Sequence, residues 1–359
     1  MRLSKRLLAI GAVGIVVVIA LSPMACYLSR GAWEEGKILA RRQAIAELVA
    51  SKQTDPLTRR KLEIVLAARQ YAKDSILLKT EESFTTYSKL DRDTLVLVLS
   101  AAYRDRLEPY TWWFPIVGRV PYKGFFDFET ARDAAKKFNA DGFDVVLRPS
   151  AAFSTLGFFD DPLTSTTLVR DSLDLVNTVI HEVTHNTFYA PGQAVFNESF
   201  ANFVGARGAA AFFRSRGQPG AAARVDAEWA DEKLLGKFWS TLAKSLDSAY
   251  ARHPESREAR IAARDTVYMN ARRSLVSEVG PELTTIGPFY VQRVTLNNAA
   301  LLARRVYAKD LDLFDQAYER EGRNLRRTIG RIITLAKANK KDPFGALRHW
   351  LGAPAMPAG

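Results

Sequence analysis

The chain has 359 residues, 47% hydrophobic and 25% charged, an ordinary globular composition with enough apolar material for a sizeable core. Its formal net charge is +12, but the basic residues are interleaved with acids, as in Arg257-Glu258-Ala259-Arg260, and no basic and aromatic platform accompanies them, which argues against nucleic acid as a partner. With one cysteine, Cys26, no internal disulfide can form.

Arg2, Lys5 and Arg6 precede a run without charge from residue 7 to residue 25. As a helix this run would reach about 28 Å, close to the hydrocarbon thickness of a bilayer. A signal peptide and a retained anchor both fit, and the basic residues in front send the rest of the chain across the membrane. Cys26 stands directly after the run and is a lipidation candidate: Ala25 suits a lipoprotein cut, whereas Pro23 stands where such signals usually carry leucine. The expectation is an exported protein, tethered to the membrane through residues 1–26 or a lipid, with its folded part outside the cytoplasm, on the periplasmic side in a Gram-negative cell.

Apolar residues recur at three and four from Leu39 to Leu48 and from Leu57 to Leu78, predicting two helices. Residues 84–103 turn β-branched around Thr94 to Leu99 and suggest a strand pair. Residues 108–127 mix Pro, Gly and aromatics without a period and suggest an ordered, partly buried loop. Phe128 to Ala140 reads as a helix closed by Gly142, and Phe143 to Leu147 as a short strand. An aromatic, glycine-containing stretch fills 150–162, and Asp171 or Ser172 can cap the next helix. Beyond Asn197 the pattern is almost wholly helical, broken at 217–220, 253–254, 280–281, 287–288 and 342–343, with no solenoid repeat. The fold class expected is α+β, mainly α-helical, with a zincin-like active-site helix and a small sheet from the N-terminal half. One domain spans 27–352, with an α+β part at 27–165 and a helical part carrying the metal site at 166–352; residues 353–359 form a flexible tail.

Of four histidines in the chain, two form His181-Glu182-Val183-Thr184-His185. On a helix, positions i and i+4 share a face, so His181 and His185 can grip one ion, while Glu182 reaches water beside it. This is the H-E-x-x-H arrangement of zinc peptidases. Twelve residues containing Ala190-Pro191-Gly192 then allow a reversal, and Asn197-Glu198-Ser199-Phe200-Ala201 opens a second helix, bringing Glu198 back as third ligand. Two imidazoles and a carboxylate leave the fourth position of one Zn2+ open, as catalysis requires.

H-E-x-x-H followed by N-E-x-x-A resembles the gluzincin metallopeptidases, which include thermolysin and aminopeptidase N, although the gap here is shorter than in those two. The chain more closely resembles a bacterial family described as putative aminopeptidases, often predicted lipoproteins, from about Cys26 to about residue 340. The resemblance rests on Cys26-Tyr27-Leu28, Trp113-Phe114-Pro115, Tyr122 to Phe126, Ser154 to Pro162, the zinc motif, Phe196 to Ala201 and Leu296-Asn297-Asn298-Ala299. It implies a zinc-dependent peptidase in which Glu182 takes a proton from the attacking water and passes it to the leaving amine. In similar enzymes a strand upstream of the zinc helix pairs with the peptide substrate. Residues 143–147, with Ser154, Thr155, Leu156 and Gly157, occupy the matching place.

Asp160 and Asp161 could accept a substrate's ammonium, or serve the turn at Pro162. Tyr122, Tyr189, Tyr290 and Tyr307 could donate to an oxyanion, or simply be half-buried tyrosines. Asn297 and Asn298 could orient ligands or cap a helix, and His253 and His349 read as surface residues. A membrane-tethered, non-catalytic metal-binding scaffold is the alternative, but it has no use for Glu182 beside the ligands.

Overall fold

The structure is a computed structural model, and it describes residues 23–91, 94, 96–114, 118–150, 162–306 and 308–352. Residues 1–22 of the leader expected at 1–26, and the tail at 353–359, lie outside these residues. Cys26 falls in the first described helix, α1 (Pro23–Ala40). Among the described residues no helix is long and apolar enough to cross a membrane.

The architecture is α+β and mainly helical, as the sequence suggests. The two helices expected between Leu39 and Leu78 form with different limits. The first is interrupted by a two-residue strand, β1 (Gln43–Ala44), before α2 (Ile45–Ala50); the second, α3, runs from Pro56 to Asp74, with Pro56 at its first position and Asp55 accepting from Thr58 N.

The strand pair expected at 84–103 is a correction. β2 (Thr86–Ser88) and β3 (Val96–Tyr103) enter different sheets. β2 lies antiparallel to β1 and parallel to β8 (Leu163–Thr164). β3 is the centre of an antiparallel sheet between β6 (Lys123–Phe125) and β7 (Phe143–Ser150). The region read as a loop holds β6 and a small hairpin, β4 (Trp112–Phe114) with β5 (Gly118–Val120). Helix α4 (Phe128–Ala140) and the left-handed Gly142 (φ 86°) stand where expected, and the following strand continues to Ser150. One face of the β6-β3-β7 sheet packs Leu97, Leu99, Phe125, Val145 and Leu147 against Ala131, Ala135 and Phe138 of α4.

The short helix α5 (Ser165–Leu168) leads to α6 (Ser172–Thr187), where Asp171 accepts from the amides of Leu173 and Asp174, both at 2.9 Å. That cap satisfies two amides that have no partner inside the helix. α6 buries Leu175, Val176, Val179, Ile180 and Val183. α7 (Ala194–Ser215) is apolar almost all round, and α8 (Pro219–Ala251) follows. Phe196, Phe200 and Phe203 of α7 meet Phe314 of α13 (Leu311–Arg320), and the large core gathers around them. A polar knot reinforces it: Arg207 pairs with Asp226 and Asp315, and Trp229 and Lys233 also donate to Asp315.

A second core lies along the later part of α8, with Trp239, Leu242, Leu246, Tyr250, Tyr268, Leu275 and Leu301. The break expected at Gly280-Pro281 is bridged instead. Helix α9 (Arg257–Ser274) passes through a π-turn (Leu275–Val279) into α10 (Gly280–Glu282), so the wider turn absorbs the proline. The chain ends in α11 (Pro288–Arg293), α12 (Asn298–Arg305), α13, α14 (Leu325–Ala338) and α15 (Pro343–Leu351).

Candidate metal centre

The contact between α6 and α7 builds the site. Gly205 of α7 faces Asn177 and His181 of α6: a side-chain Cβ there would collide with Asn177 Oδ1 and lie 3.3 Å from His181 Cβ. One turn on, a Cβ at Gly208 would come to 2.9 Å from Ile180 Cγ2. The two glycines therefore set a helix separation that larger residues forbid.

The reversal between the helices is clamped by Asn197. Its Oδ1 accepts from Ala190 N and its Nδ2 donates to Ala190 O, both at 2.9 Å and both buried. Gly192, at φ 76°, makes the turn inside this loop. Asn197 in the N-E-x-x-A motif thus fixes where Glu198, the next residue, emerges. The sequence reading used the motif without finding this role.

His181 Nε2 and His185 Nε2 lie 3.2 Å apart. Glu198 Oε2 is 3.5 Å from the first and Oε1 is 3.7 Å from the second. Ligand atoms held about 2.0–2.1 Å from a tetrahedral ion stand about 3.3 Å from one another. The three separations approach the edges of such a tetrahedron, so the residues fit the ion. They form the metal-competent group found among the described residues, all partly buried, with their ligand atoms within 4.8 Å of one another.

The electrostatics follow from this crowding. Burial opposes charge on His181, but the hydrogen bond to Glu198 and the charges of Glu182 and Glu198 outweigh it and raise its pKa. Burial and the charge of His181 lower that of His185. Burial acts to raise Glu198, yet the two histidines hold it below the ordinary carboxylate value. Glu182 is exposed, on the side open to solvent.

Of the other residues singled out in the sequence, Tyr122 lies within electrostatic reach of Glu198 and of Tyr189. Burial raises the Tyr122 phenol, Arg148 opposes the rise, and Glu198 and Tyr189 add to it. The two residues are 45% and 59% exposed, so both can meet a substrate. Tyr290 does not join them: it lies on α11, where Arg304 donates to its hydroxyl at 3.4 Å. Tyr307, Ser154, Thr155, Leu156, Gly157, Asp160 and Asp161 lie outside the described residues.

Of the two roles open to Asn297 and Asn298, orienting ligands or capping, Asn297 takes the cap, and the polar atoms of both are spent on the fold. Asn297 caps α12 through Ala300 N and donates to Val145 O. Asn298 is fully buried. Its amide nitrogen meets Asp144, its Nδ2 donates to Tyr103 O, and it accepts from Tyr268. His253 and His349 are exposed, as expected.

Two residues near the metal site were missed. Glu232 of α8 accepts from Asn202 Nδ2 at 3.2 Å, one turn beyond Glu198 on α7. Burial pushes its carboxyl up to about 7, against the opposing charge of His181. Arg148, on β7, neighbours Tyr122 electrostatically. Nothing in the local sequence marks either residue, since one is an acid on a long polar helix and the other a base in a strand.

The family comparison agrees with this geometry. The family described as "putative aminopeptidase" matches residues 26–347, and the chain belongs to it. Comparison with curated proteins gives no match, and comparison with solved structures gives none.

Two expected outcomes follow. Asn197→Ala strands the buried amide of Ala190, at a cost of about 1–3 kcal/mol, while Ala190 O keeps its bond from Gln193 N; denaturant unfolding should show that loss, and metal affinity should fall with it. A raised carboxyl pKa means that the native state holds the Glu232 proton more tightly than the unfolded chain. That stability is complete below the ordinary value of 4.5 and is lost as pH rises through about 7. Glu232→Gln should flatten this part of the pH profile of the metal-free protein, as read by unfolding at several pH values, and an unchanged slope would refute the assignment.

Proposed function

We propose that the protein is a zinc-dependent peptidase of the gluzincin kind, an aminopeptidase in keeping with its family. The observation that carries this reading is the near-tetrahedral set of His181, His185 and Glu198 beside an exposed Glu182. A zinc ion held there would supply a Lewis acid for the scissile carbonyl and an acidified water.

The chain's own residues do the rest. His181 and His185 would each hold such an ion through Nε2, and Glu198 would add a negative charge that strengthens the hold. Glu182 follows His181 by one position and precedes His185 by three, so it lies beside both imidazoles on the helix. It can therefore take the proton from an attacking water and deliver it to the departing amine nitrogen without being a ligand. The hydroxyls of Tyr122 and Tyr189 can donate to oxygen as charge builds on it. The raised pKa of Tyr122 keeps that proton in place.

We also propose that the protein is exported and stays at the membrane, by a retained helix or by lipid on Cys26. The support is the uncharged run at 7–25, with basic residues before it and Cys26 after it. Expression of the full chain followed by fractionation should place it with membranes and expose it to added protease only from the outer side; recovery in the cytosol would contradict this.

Glu182→Gln should keep stoichiometric zinc and lose about 10²–10⁴-fold in peptide hydrolysis, the range general base catalysis supplies. Glu198→Ala should lose the metal itself, measured by elemental analysis after dialysis. A Glu182→Gln variant that turned over normally would remove the proposed mechanism.

A further inference from the structure

Four arginines carry a buried Nε without a hydrogen-bond partner among the described residues: Arg59, Arg104, Arg148 and Arg264. Three of them have their charge or their other nitrogens answered elsewhere. Arg59 donates to Ser51 O and Thr54 O. Arg104 and Arg264 both pair with Asp144, which lies between them. Arg148 makes no such bond to a described residue. An arginine remains charged at any working pH, and a buried donor without an acceptor is costly. A guanidinium left in this condition calls for an anion from outside the described residues.

The sheet register shows where such an anion would sit. Val98, in the central strand, pairs with Gly124 on one side and with Arg148 on the other. Alternation along β7 puts Val145 and Leu147 on the face covered by α4, so Asp144, Val146 and Arg148 belong to the opposite face. Asp144 is closed off by Arg264 and Asn298. Arg148 is two pleats further along, at the end of the strand away from that cluster. Tyr122 immediately precedes the β6 segment, two residues before Gly124, and its phenol responds to both Arg148 and Glu198. The phenol is thus within electrostatic reach of the guanidinium and of a metal ligand alike. Within the β6-β3-β7 sheet, β7 is an edge strand; Asn297 takes Val145 O, and an extended peptide can run beside the stretch from Leu147 onward.

We propose that Arg148 is a specificity residue that binds a carboxylate of the peptide substrate, from an acidic side chain or a free C-terminus, close to the scissile bond. The proposal rests on the peptidase reading and deepens it by naming a substrate class. A carboxylate satisfies Nε and an Nη together in the planar fork that lysine cannot form. The net charge of +12 favours the approach of acidic peptides as well.

The test uses the full-length, zinc-loaded protein and a set of fluorogenic peptides of one length. They carry Glu, Gln or Lys at each position flanking the cleaved bond, and each is made with a free and an amidated C-terminus. One charge-assisted, forked contact predicts a preference of about tenfold or more in kcat/KM, mostly through KM. A preference for Glu over Gln assigns a side-chain carboxylate; a preference for free acid over amide assigns the C-terminus. Arg148→Gln should reduce that ratio to about one, and Arg148→Lys should keep only part of it. A wild-type enzyme indifferent to both carboxylates would overturn the proposal, as would an Arg148→Gln variant that slows charged and neutral peptides equally. If no peptide is cut, the peptidase reading fails. Calorimetric binding of the Glu and Gln peptides to wild-type and Arg148→Gln protein then still decides whether Arg148 holds a carboxylate.

Discussion

The close approach of two helices governs this molecule. α6 carries the histidines and α7 the glutamate, and they meet on Gly205 and Gly208, where a β-carbon would strike Asn177 or Ile180. A wider separation would carry Glu198 away from the imidazoles. The Asn197 clamp on Ala190 fixes the other coordinate, the point at which the chain re-enters α7. Helix separation and loop register together bring three side chains to the spacing of a tetrahedral ion, and both are set by residues that never touch it.

The surroundings hold this arrangement rigid. The apolar face of α6 lies in the large core, and α7 is enclosed on nearly every side, with its phenylalanines against Phe314. Arg207 and Lys233, answered by Asp226 and Asp315, lock α7, α8 and α13 together. A separate polar knot at Asp144, Arg264 and Asn298 fastens the sheet to the later helices. The sheet wall that carries Tyr122 and Arg148 is thereby joined to the same framework as the metal ligands. The metal ligands themselves lie at the contact of α6 and α7 within that framework.

Much of the site was legible in the sequence because its chemistry is local. His181, Glu182 and His185 fall within five residues, and a helical period alone puts both imidazoles on one face. Asp171 as the cap, the helix from Phe128 to Ala140 and the helical second half followed equally from short-range rules. What escaped depends on distant pairing. β2 finds its parallel partner at Leu163–Thr164, far along the chain, and strands of three residues are too short to display alternation. The π-turn that carries the helix past Gly280-Pro281 has no signature in composition. Asn298 has the look of a cap, and only the fold reveals that its neighbour Asn297 caps while Asn298 itself is buried among strand carbonyls. Arg148 and Glu232 gain meaning solely from what surrounds them.

The central claim is that one metal ion sits between His181, His185 and Glu198. Diffraction from crystals of the zinc-loaded protein at the zinc absorption edge tests this most directly. The account predicts a single anomalous peak per chain, about 2.0–2.2 Å from the two Nε2 atoms and a Glu198 oxygen, with the remaining side facing solvent. A peak elsewhere in the chain, or none at these residues when zinc is in excess, would contradict it.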